Sequence, residues 1–343
     1  MLSPRVAAVI LNYNTRNWLE KFLPYVLQTQ YSNFEVIIAD NASTDDSVAF
    51  LQASYPQLRI IQMPKNHGFA GGYNECLKEV TADYFVLLNS DVEVTPNWVQ
   101  PVIDLMETDA TIAACQPKIL AWHSKHKFEY AGAAGGYLDT LSYPFCRGRI
   151  IDHTEEDKGQ YNNASEVFWA SGAAMFIRAD KYFEAGGLDA DFFAHMEEID
   201  LCWRLKNHGY KIMVQPQAVV YHVGGGTLSR NNPRKTFLNF HNCLAMMLKN
   251  MNGKGLLWKL PLRFLMDDAA ALMFLTYGNW RDTLAVFKAH TKFCLQLPKW
   301  IKKRSHCKKY KTHLHNNTGV YSKSIVFDFY IRKKKEFSDL QLE

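Results

Sequence analysis

The hydrophobic pattern changes period repeatedly along the first ninety residues, and each change predicts an element. An apolar run over residues 6–11 predicts a buried strand. Trp18, Leu19, Phe22, Leu23, Val26 and Leu27 then recur at helical spacing. Residues 34–39 predict a second strand, ending in Asp40-Asn41-Ala42-Ser43-Thr44-Asp45. The Ser and Asp side chains there suit the N-cap of a helix over 46–54. Residues 58–63 predict a third strand. Asn66-His67-Gly68-Phe69-Ala70-Gly71-Gly72-Tyr73-Asn74 then opens another helix, and 84–88 is a fourth strand. This alternation predicts an α/β fold, a mostly parallel twisted sheet with helices on both faces.

The pattern then loosens. Residues 122–163 mix Gly, Tyr and charge without a period, which predicts loops and short strands. Residues 167–177 return to an apolar run, followed by helices over 179–185 and 196–207 and short strands over 210–214 and 218–222. Residues 227–233 are rich in Ser, Asn, Arg and Pro and predict a boundary. Beyond it, 237–248 and 255–274 read as helices. The domain expectation is 1–230, divided into a nucleotide-binding half (1–91) and an acceptor half (92–230), then a helical, basic extension over 231–343.

Composition narrows the class. Of 343 residues, 48% are hydrophobic and 21% charged, so disorder is not expected. The seven cysteines are scattered and none has C-x-x-C spacing, which argues against a zinc ribbon or a dithiol site. With no signal-peptide pattern at the start, this predicts a cytoplasmic protein. No apolar run approaches the roughly 18 residues of a membrane span. The net charge of +5 conceals thirteen Lys/Arg against one acid over 290–335. A basic tail on an acidic body suits an anionic surface.

Chemistry concentrates at strand ends. Asn89-Ser90-Asp91 closes the apolar run at 84–88, where open α/β sheets bind ligands. Hard divalent cations take such oxygen donors and share the rest of their shell with phosphates. Asp40 ends the second strand and can accept from a uracil or thymine imide; Tyr13, ending the first, can stack on such a ring. The glycine-rich segment from Asn66 lets backbone approach a ligand before a helix N-terminus. It is neither G-x-G-x-x-G nor a P-loop, which argues against a dinucleotide cofactor or ATP hydrolysis. His195-Met196-Glu197-Glu198-Ile199-Asp200 opens a helix with three carboxylates, any of which the helix dipole helps keep ionised as a general base. His222 follows a strand and precedes Gly224-Gly225-Gly226, beside which an imidazole can complete a cation shell with Asp91. Each feature also fits a plain structural part: a turn cap, a packed ring, a solvated first turn.

Together these segments resemble the family-2 glycosyltransferases of GT-A fold, particularly the bacterial rhamnosyltransferase-like members, from about Val6 to Thr227. The resemblance rests on Leu11-Asn12-Tyr13-Asn14, the Asp40–Asp45 and Asn66–Asn74 segments, Asn89-Ser90-Asp91, Gly186-Gly187-Leu188-Asp189, Glu197 to Arg204, and His222. It implies an inverting transfer from a UDP- or dTDP-sugar, dTDP-rhamnose included, to a glycan or lipid-linked glycan in cell-surface polysaccharide synthesis. Tyr13, Asn14 and Asp40 would hold the base, with Asn66 and Gly68 near ribose and diphosphate. Asp91 and His222 would bind Mg²⁺ or Mn²⁺, with Asn89 and Ser90 beside them. Glu198 would be the base, and Glu197 and Asp200 would shape the acceptor site. Two departures stand out: the family's D-x-D is Asn89-Ser90-Asp91, and its Glu-Asp pair is Glu197-Glu198.

Rival readings are a sugar-1-phosphate nucleotidyltransferase and a non-catalytic nucleotide- or glycan-binding module. The first would carry a Gly-rich basic signature after the first strand, where Asn12-Tyr13-Asn14-Thr15 stands. The basic tail matches no nucleic-acid module. Its Lys and Arg beside apolar helix faces instead predict either peripheral contact with an anionic membrane, at the inner face of the plasma membrane, or a helical cap folded on the catalytic domain with a solvated tail.

Overall fold

The computed structural model describes residues 3–224, 232–251, 253–309, 315–340 and 342. The expected start of the extension at 227–233 lies mostly outside them, as do Gly225, Gly226 and His313.

The first half follows the period changes closely. Strand β1 (Val6–Asn12), helix α1 (Arg16–Leu27), β2 (Phe34–Asp40), α2 (Ser47–Ser54), β3 (Arg59–Gln62), α3 (Gly68–Leu77) and β4 (Tyr84–Asn89) alternate in sequence. β1 pairs in parallel with both β2 and β4, and β2 with β3, giving spatial order 3-2-1-4. Both faces are buried. Val6, Ala8, Ile10 and Ile38 join one apolar cluster, and Ala7, Val9, Ile37 and Ala39 the other. That is why these strands are continuous apolar runs and do not alternate.

The sheet then continues with mixed direction. β5 (Val92–Val94), α4 (Gln100–Glu107), β6 (Ile112–Ala121), β7 (Ser124–Phe128) and the short strands β8 (Gly136–Asp139), β9 (Pro144–Cys146), β10 (Arg149–Ile150) and β11 (His153–Thr154) fill the region predicted as loops and short strands. β12 (Ser165–Val167), β13 (Ala174–Arg178), α5 (Ala179–Glu184), α6 (Glu197–Asn207) and β14 (Lys211–His222) complete it. The large sheet runs β12-β14-β6-β13-β4-β1-β2-β3.

Two expectations shift here. The apolar run 167–177 is broken between β12 and β13, where Ala174 N–H turns back to the Ser171 carbonyl at 3.3 Å. The two short strands expected at 210–222 are one strand, irregular between Gln215 and Val219. Pro216 sits in that irregularity and cannot donate to a ladder.

The C-terminal segment folds back on the acceptor half. Helices α7 (Pro233–Asn250), α8 (Leu256–Thr276), α9 (Trp280–Leu295), α10 (Leu297–Lys309) and α11 (Ile325–Tyr330) are interrupted by one strand, β15 (Val320–Tyr321). β15 pairs in parallel with β8 and extends the smaller sheet β11-β10-β9-β8-β15. A strand inside a predicted all-helical extension escapes periodicity because two residues show none. On α8, the Arg263 guanidinium stacks on the Tyr143 ring, pairs with Asp267 at 2.8 Å and donates to the Leu141 carbonyl at 3.0 Å. Among the described residues, no helix is long and apolar enough to cross a membrane.

Candidate active site

The sheet's carboxyl edge builds the first wall. Asn12 and Asp40 are register partners at the ends of β1 and β2. The buried Asp40 carboxylate accepts from Asn12 Nδ2 at 2.8 Å and from Ser43 N–H at 3.2 Å. A carboxylate offers about four lone-pair positions, so Asp40 keeps acceptor capacity for a ligand. Asn14 takes a left-handed backbone, φ 54°, and its Oδ1 accepts from Thr44 N–H at 2.7 Å and Asp45 N–H at 3.2 Å. This ties the loop after β2 to the end of β1 and leaves Tyr13 39% exposed, with a ring face available for stacking.

Asn41 is a positioning residue that the sequence reading left without a role. Its Oδ1 accepts from His67 N–H at 2.9 Å, and its Nδ2 reaches Asn66 Oδ1 at 3.1 Å and the Gly68 carbonyl at 3.0 Å. Asn66 Oδ1 in turn accepts from Gly68 N–H at 2.7 Å, and the Phe193 carbonyl takes Phe69 N–H at 2.9 Å. The first two donors of α3 are therefore engaged within the protein. Here Asn66 and Gly68 shape the chain. Gly68 has φ +73°, and a Cβ there would lie 2.7 Å from the Phe193 ring. Gly68→Ala is expected to lower stability by about 1–2 kcal/mol for the left-handed backbone alone, more with the clash, read by thermal melting.

The second cluster lies where β4 meets β14. Asn89 ends β4, Ser90 occupies the turn, and Asp91 precedes β5, whose Val92 pairs with His222 at the end of β14. His222 Nε2 is 3.2 Å from Asp91 Oδ1 and 3.4 Å from Asn89 Nδ2. Its Nδ1 is 3.6 Å from Glu129 Oε1, and that carboxylate also accepts from Ala131 N–H. All three ionisable groups are buried. Burial alone would pull the imidazole down, but Asp91 and Glu129 outweigh it and push it up to about 10. Burial opposes ionisation of Asp91 as well, yet the His222 charge and hydrogen bond hold it below the usual carboxylate range. Among the described residues no three His, Cys, Asp or Glu side chains form a cation cage. An oxygen donor beside an imidazole, with a carboxylate behind the imidazole to orient it, still fits a hard divalent ion whose remaining ligands come from phosphate. Glu129 carried no motif, and only the fold places it behind His222.

The third cluster is the start of α6. Phe193, His195 and Met196 all have positive φ, at 63°, 68° and 73°. Such backbone is costly for residues other than Gly and persists only when its surroundings enforce it. Asn242 of α7 supplies that enforcement: its Nδ2 lies 3.0, 3.0 and 2.8 Å from the carbonyls of Phe192, Ala194 and His195. The kinked loop delivers Glu197 and Glu198 as the first helical residues, each with an Oε2 that is buried and has no hydrogen-bond partner. Burial pushes Glu198 up to about 7. Burial and then the Glu198 charge raise Glu197 well above the usual carboxylate range. Gly172, in the break between β12 and β13, sits against Glu198: a Cβ there would lie 3.7 Å from Glu198 Cβ and 3.5 Å from the Phe69 ring. The next carbonyl, Ala173, accepts from Asn89 N–H at 3.0 Å. A single backbone step thus joins the glutamates to the Asn89–Asp91 turn. Asp40 lies two strands away across β1, about 10 Å by ordinary strand spacing.

Asp200 differs from expectation. It is fully buried and accepts from Arg204 Nε at 2.9 Å, Lys249 Nζ at 2.8 Å and Asn250 Nδ2 at 2.7 Å. Lys249 also pairs with Asp189 at 2.7 Å, and Arg204 donates to the Gly187 carbonyl at 2.7 Å. Three residues beyond Glu197, its carboxylate is consumed in bolting α6 to α7 and to the Gly186–Asp189 turn, which leaves it no reach to an acceptor.

The family model described as "Glycosyl transferase family 2" matches residues 7–165. An N-acetylglucosaminyl-diphospho-decaprenol L-rhamnosyltransferase of Mycobacterium tuberculosis is 22% identical over 281 residues, covering 77% of this chain and 90% of the relative. A solved GalNAc-T7, crystallised with UDP, GalNAc and Mn²⁺, aligns at TM-score 0.56 and 14% identity, over 72% of this chain and 48% of its own. S. aureus TarS aligns at TM-score 0.51 and 11% identity, over 79% of this chain and 43% of its own. The chain spans about half the length of these two solved structures. The fold is a GT-A α/β sheet with added C-terminal helices, and residues 7–165 match the family-2 glycosyltransferase model.

Proposed function

We propose that the protein is an inverting glycosyltransferase that moves a sugar from a UDP- or dTDP-sugar to a hydroxyl of a glycan or lipid-linked glycan in cell-surface polysaccharide synthesis, at the cytoplasmic face of the membrane. The observation that carries this reading is the pair of carboxylates Glu197 and Glu198, each with one buried oxygen that has no hydrogen-bond partner, one backbone step from the Asn89–Asp91 turn. A polar group left unpaired in a dry site is costly, and a substrate hydroxyl relieves that cost. The rhamnosyltransferase relative supports the rhamnosyl donor and lipid-linked acceptor as candidates.

In this reading Tyr13 stacks on the base, and Asp40 accepts its imide N–H. Asp91 and His222 would hold Mg²⁺ or Mn²⁺, the imidazole giving up its proton as the cation binds. A bound divalent cation would offset the charge that builds on the leaving phosphate oxygen. Glu198 takes the acceptor proton as the acceptor oxygen bonds to the anomeric carbon and the carbon–oxygen bond to the diphosphate breaks. That bond's electron pair leaves with the nucleoside diphosphate, and the anomeric configuration inverts. Glu197, beside it, shapes the acceptor site.

A donor screen read by nucleoside-diphosphate release tests the reading. With saturating UDP or dTDP and Mn²⁺, about 100-fold above Kd, the native state gains about 2.7 kcal/mol, seen as a raised melting temperature. Asp91→Ala is expected to remove the Mn²⁺-dependent part of that gain and leave the fold intact. Nucleotide-induced stabilisation without release or transfer from any donor would identify a binding module instead.

A further inference from the structure

The α8–α9 hairpin leaves a broad apolar face without a partner. On α8, Trp258, Leu262, Leu265 and Leu272 recur at i, i+4, i+7 and i+14 and are all exposed, Leu265 at 66% and Leu272 at 61%. On α9, Trp280, Leu284 and Phe287 repeat the i, i+4, i+7 spacing, also exposed. Tyr277 stands at the tip between the helices, 74% exposed. At roughly 1.5 Å rise per residue the stripe from Trp258 to Leu272 runs about 21 Å. Isolated surface leucines need no explanation, but a contiguous apolar surface on two adjacent helices marks a docking site.

The charges around it decide what docks. Lys254, Arg281, Lys288 and Lys292 are exposed, and Lys259 is half-buried. Of the acids of the same hairpin, Asp267 is buried against Arg263 at 2.8 Å, Asp282 accepts from Thr236 at 2.6 Å, and the partly exposed Asp268 pairs with His290 at 3.4 Å. A second copy across this face would set lysines against lysines, which opposes association. An anionic headgroup layer complements the cations, accepts the leucines below it and holds Trp and Tyr at its boundary. The more C-terminal cations are less available: Lys299 pairs with Asp191 at 2.7 Å, Lys303 pairs with Asp189, and Arg304 donates to the Leu248 carbonyl at 2.6 Å.

We propose that this α8–α9 face is a monolayer-docking surface for an anionic lipid bilayer, and that it sets the acceptor site beside the headgroups. α9 packs against α7, and α7 carries Asn242, the clamp of the loop that presents Glu197 and Glu198. Packed helix axes lie about 8–10 Å apart, so one helix layer separates the lipid face from that loop. The proposal deepens the lipid-linked acceptor reading and rests on it for its purpose, while the binding itself can be measured without it.

The test uses the full chain with vesicles of mixed phosphatidylglycerol and phosphatidylcholine, against phosphatidylcholine alone. Wild type is expected to co-sediment with the anionic vesicles at least tenfold more than with neutral ones. The Leu265→Glu/Leu272→Glu variant should lose that binding at least tenfold, while retaining wild-type melting temperature and nucleotide stabilisation. In wild type, brominated lipids should quench tryptophan fluorescence, and Trp258→Phe/Trp280→Phe should remove most of that quenching, a readout independent of the leucine variant. Equal sedimentation of wild type and the leucine variant, absence of wild-type binding, or a wild-type dimer in gel filtration that the leucine variant splits would each overturn the proposal. Vesicle binding with no sugar transfer to any acceptor would instead strike only the functional reading.

Discussion

Glu198→Gln is expected to lower turnover by about 10²- to 10⁴-fold, the usual worth of a positioned general base, with nucleotide affinity unchanged. The amide keeps the shape of the side chain and cannot take a proton. The raised carboxyl gives a second signature. Its ordinary value of 4.5 is pushed up to about 7 by burial, so the basic form exists only above that value. The rate with wild type should therefore climb as pH rises through about 7 and then level off, and the residual activity of Glu198→Gln should lack that limb. Because Glu197 and Glu198 titrate together, the limb belongs to the pair. The same burial acts on stability in the opposite sense. The folded state binds protons that the unfolded chain releases above about 4.5, so this contribution is full below 4.5 and is lost as pH rises through 7. Parental turnover from Glu198→Gln would remove Glu198 from the chemistry. The same loss confined to Glu197→Gln would move the base to its neighbour.

Asp200→Ala is expected to act on stability. Removing one partner from a buried ion-pair cluster typically costs about 3–5 kcal/mol, because the remaining charges stay buried without compensation. Here Arg204 and Lys249 are the charges left behind, with Asp189 as their remaining acid. At about 2–4 °C per kcal/mol for a large domain, the melting temperature should fall by roughly 10 °C. Assayed well below that midpoint, the variant should transfer sugar within about threefold of wild type. A variant with unchanged melting temperature and abolished transfer would return Asp200 to the acceptor site. The same measurement on Lys249→Met should show a smaller thermal loss, since Asp200 keeps Arg204 and Asp189 keeps Lys303.

The contrast between Glu198 and Asp200 shows what a sequence conveys. Both stand in the first turn of one helix, both are acids, and both carry the same family resemblance. One keeps a buried oxygen without a partner beside Gly172, and the other is saturated by three donors from α6 and α7. Helical periodicity places them on different faces but says nothing of what those faces meet. Likewise, Asn41 and Asn242 have no local pattern to announce them. Their work is to hold backbone groups that lie 25 to 50 residues away, and only the packed chain brings those groups within reach.

The order and kind of the elements through β4 were legible in the residues, because burial on both faces of a parallel sheet forces apolar runs and because capping residues are local. The strand-end polar groups, Tyr13, Asp40, Asn89, Asp91 and His222, were legible for the same reason: a polar residue directly after a buried run marks where the strand leaves the core. Tertiary packing alone settled the rest. It placed Glu129 behind His222, turned Asp200 into a strut, threaded β15 into the smaller sheet and left the α8–α9 leucines facing outward. Contacts between distant segments depend on which surfaces meet, and no window along the chain contains both partners.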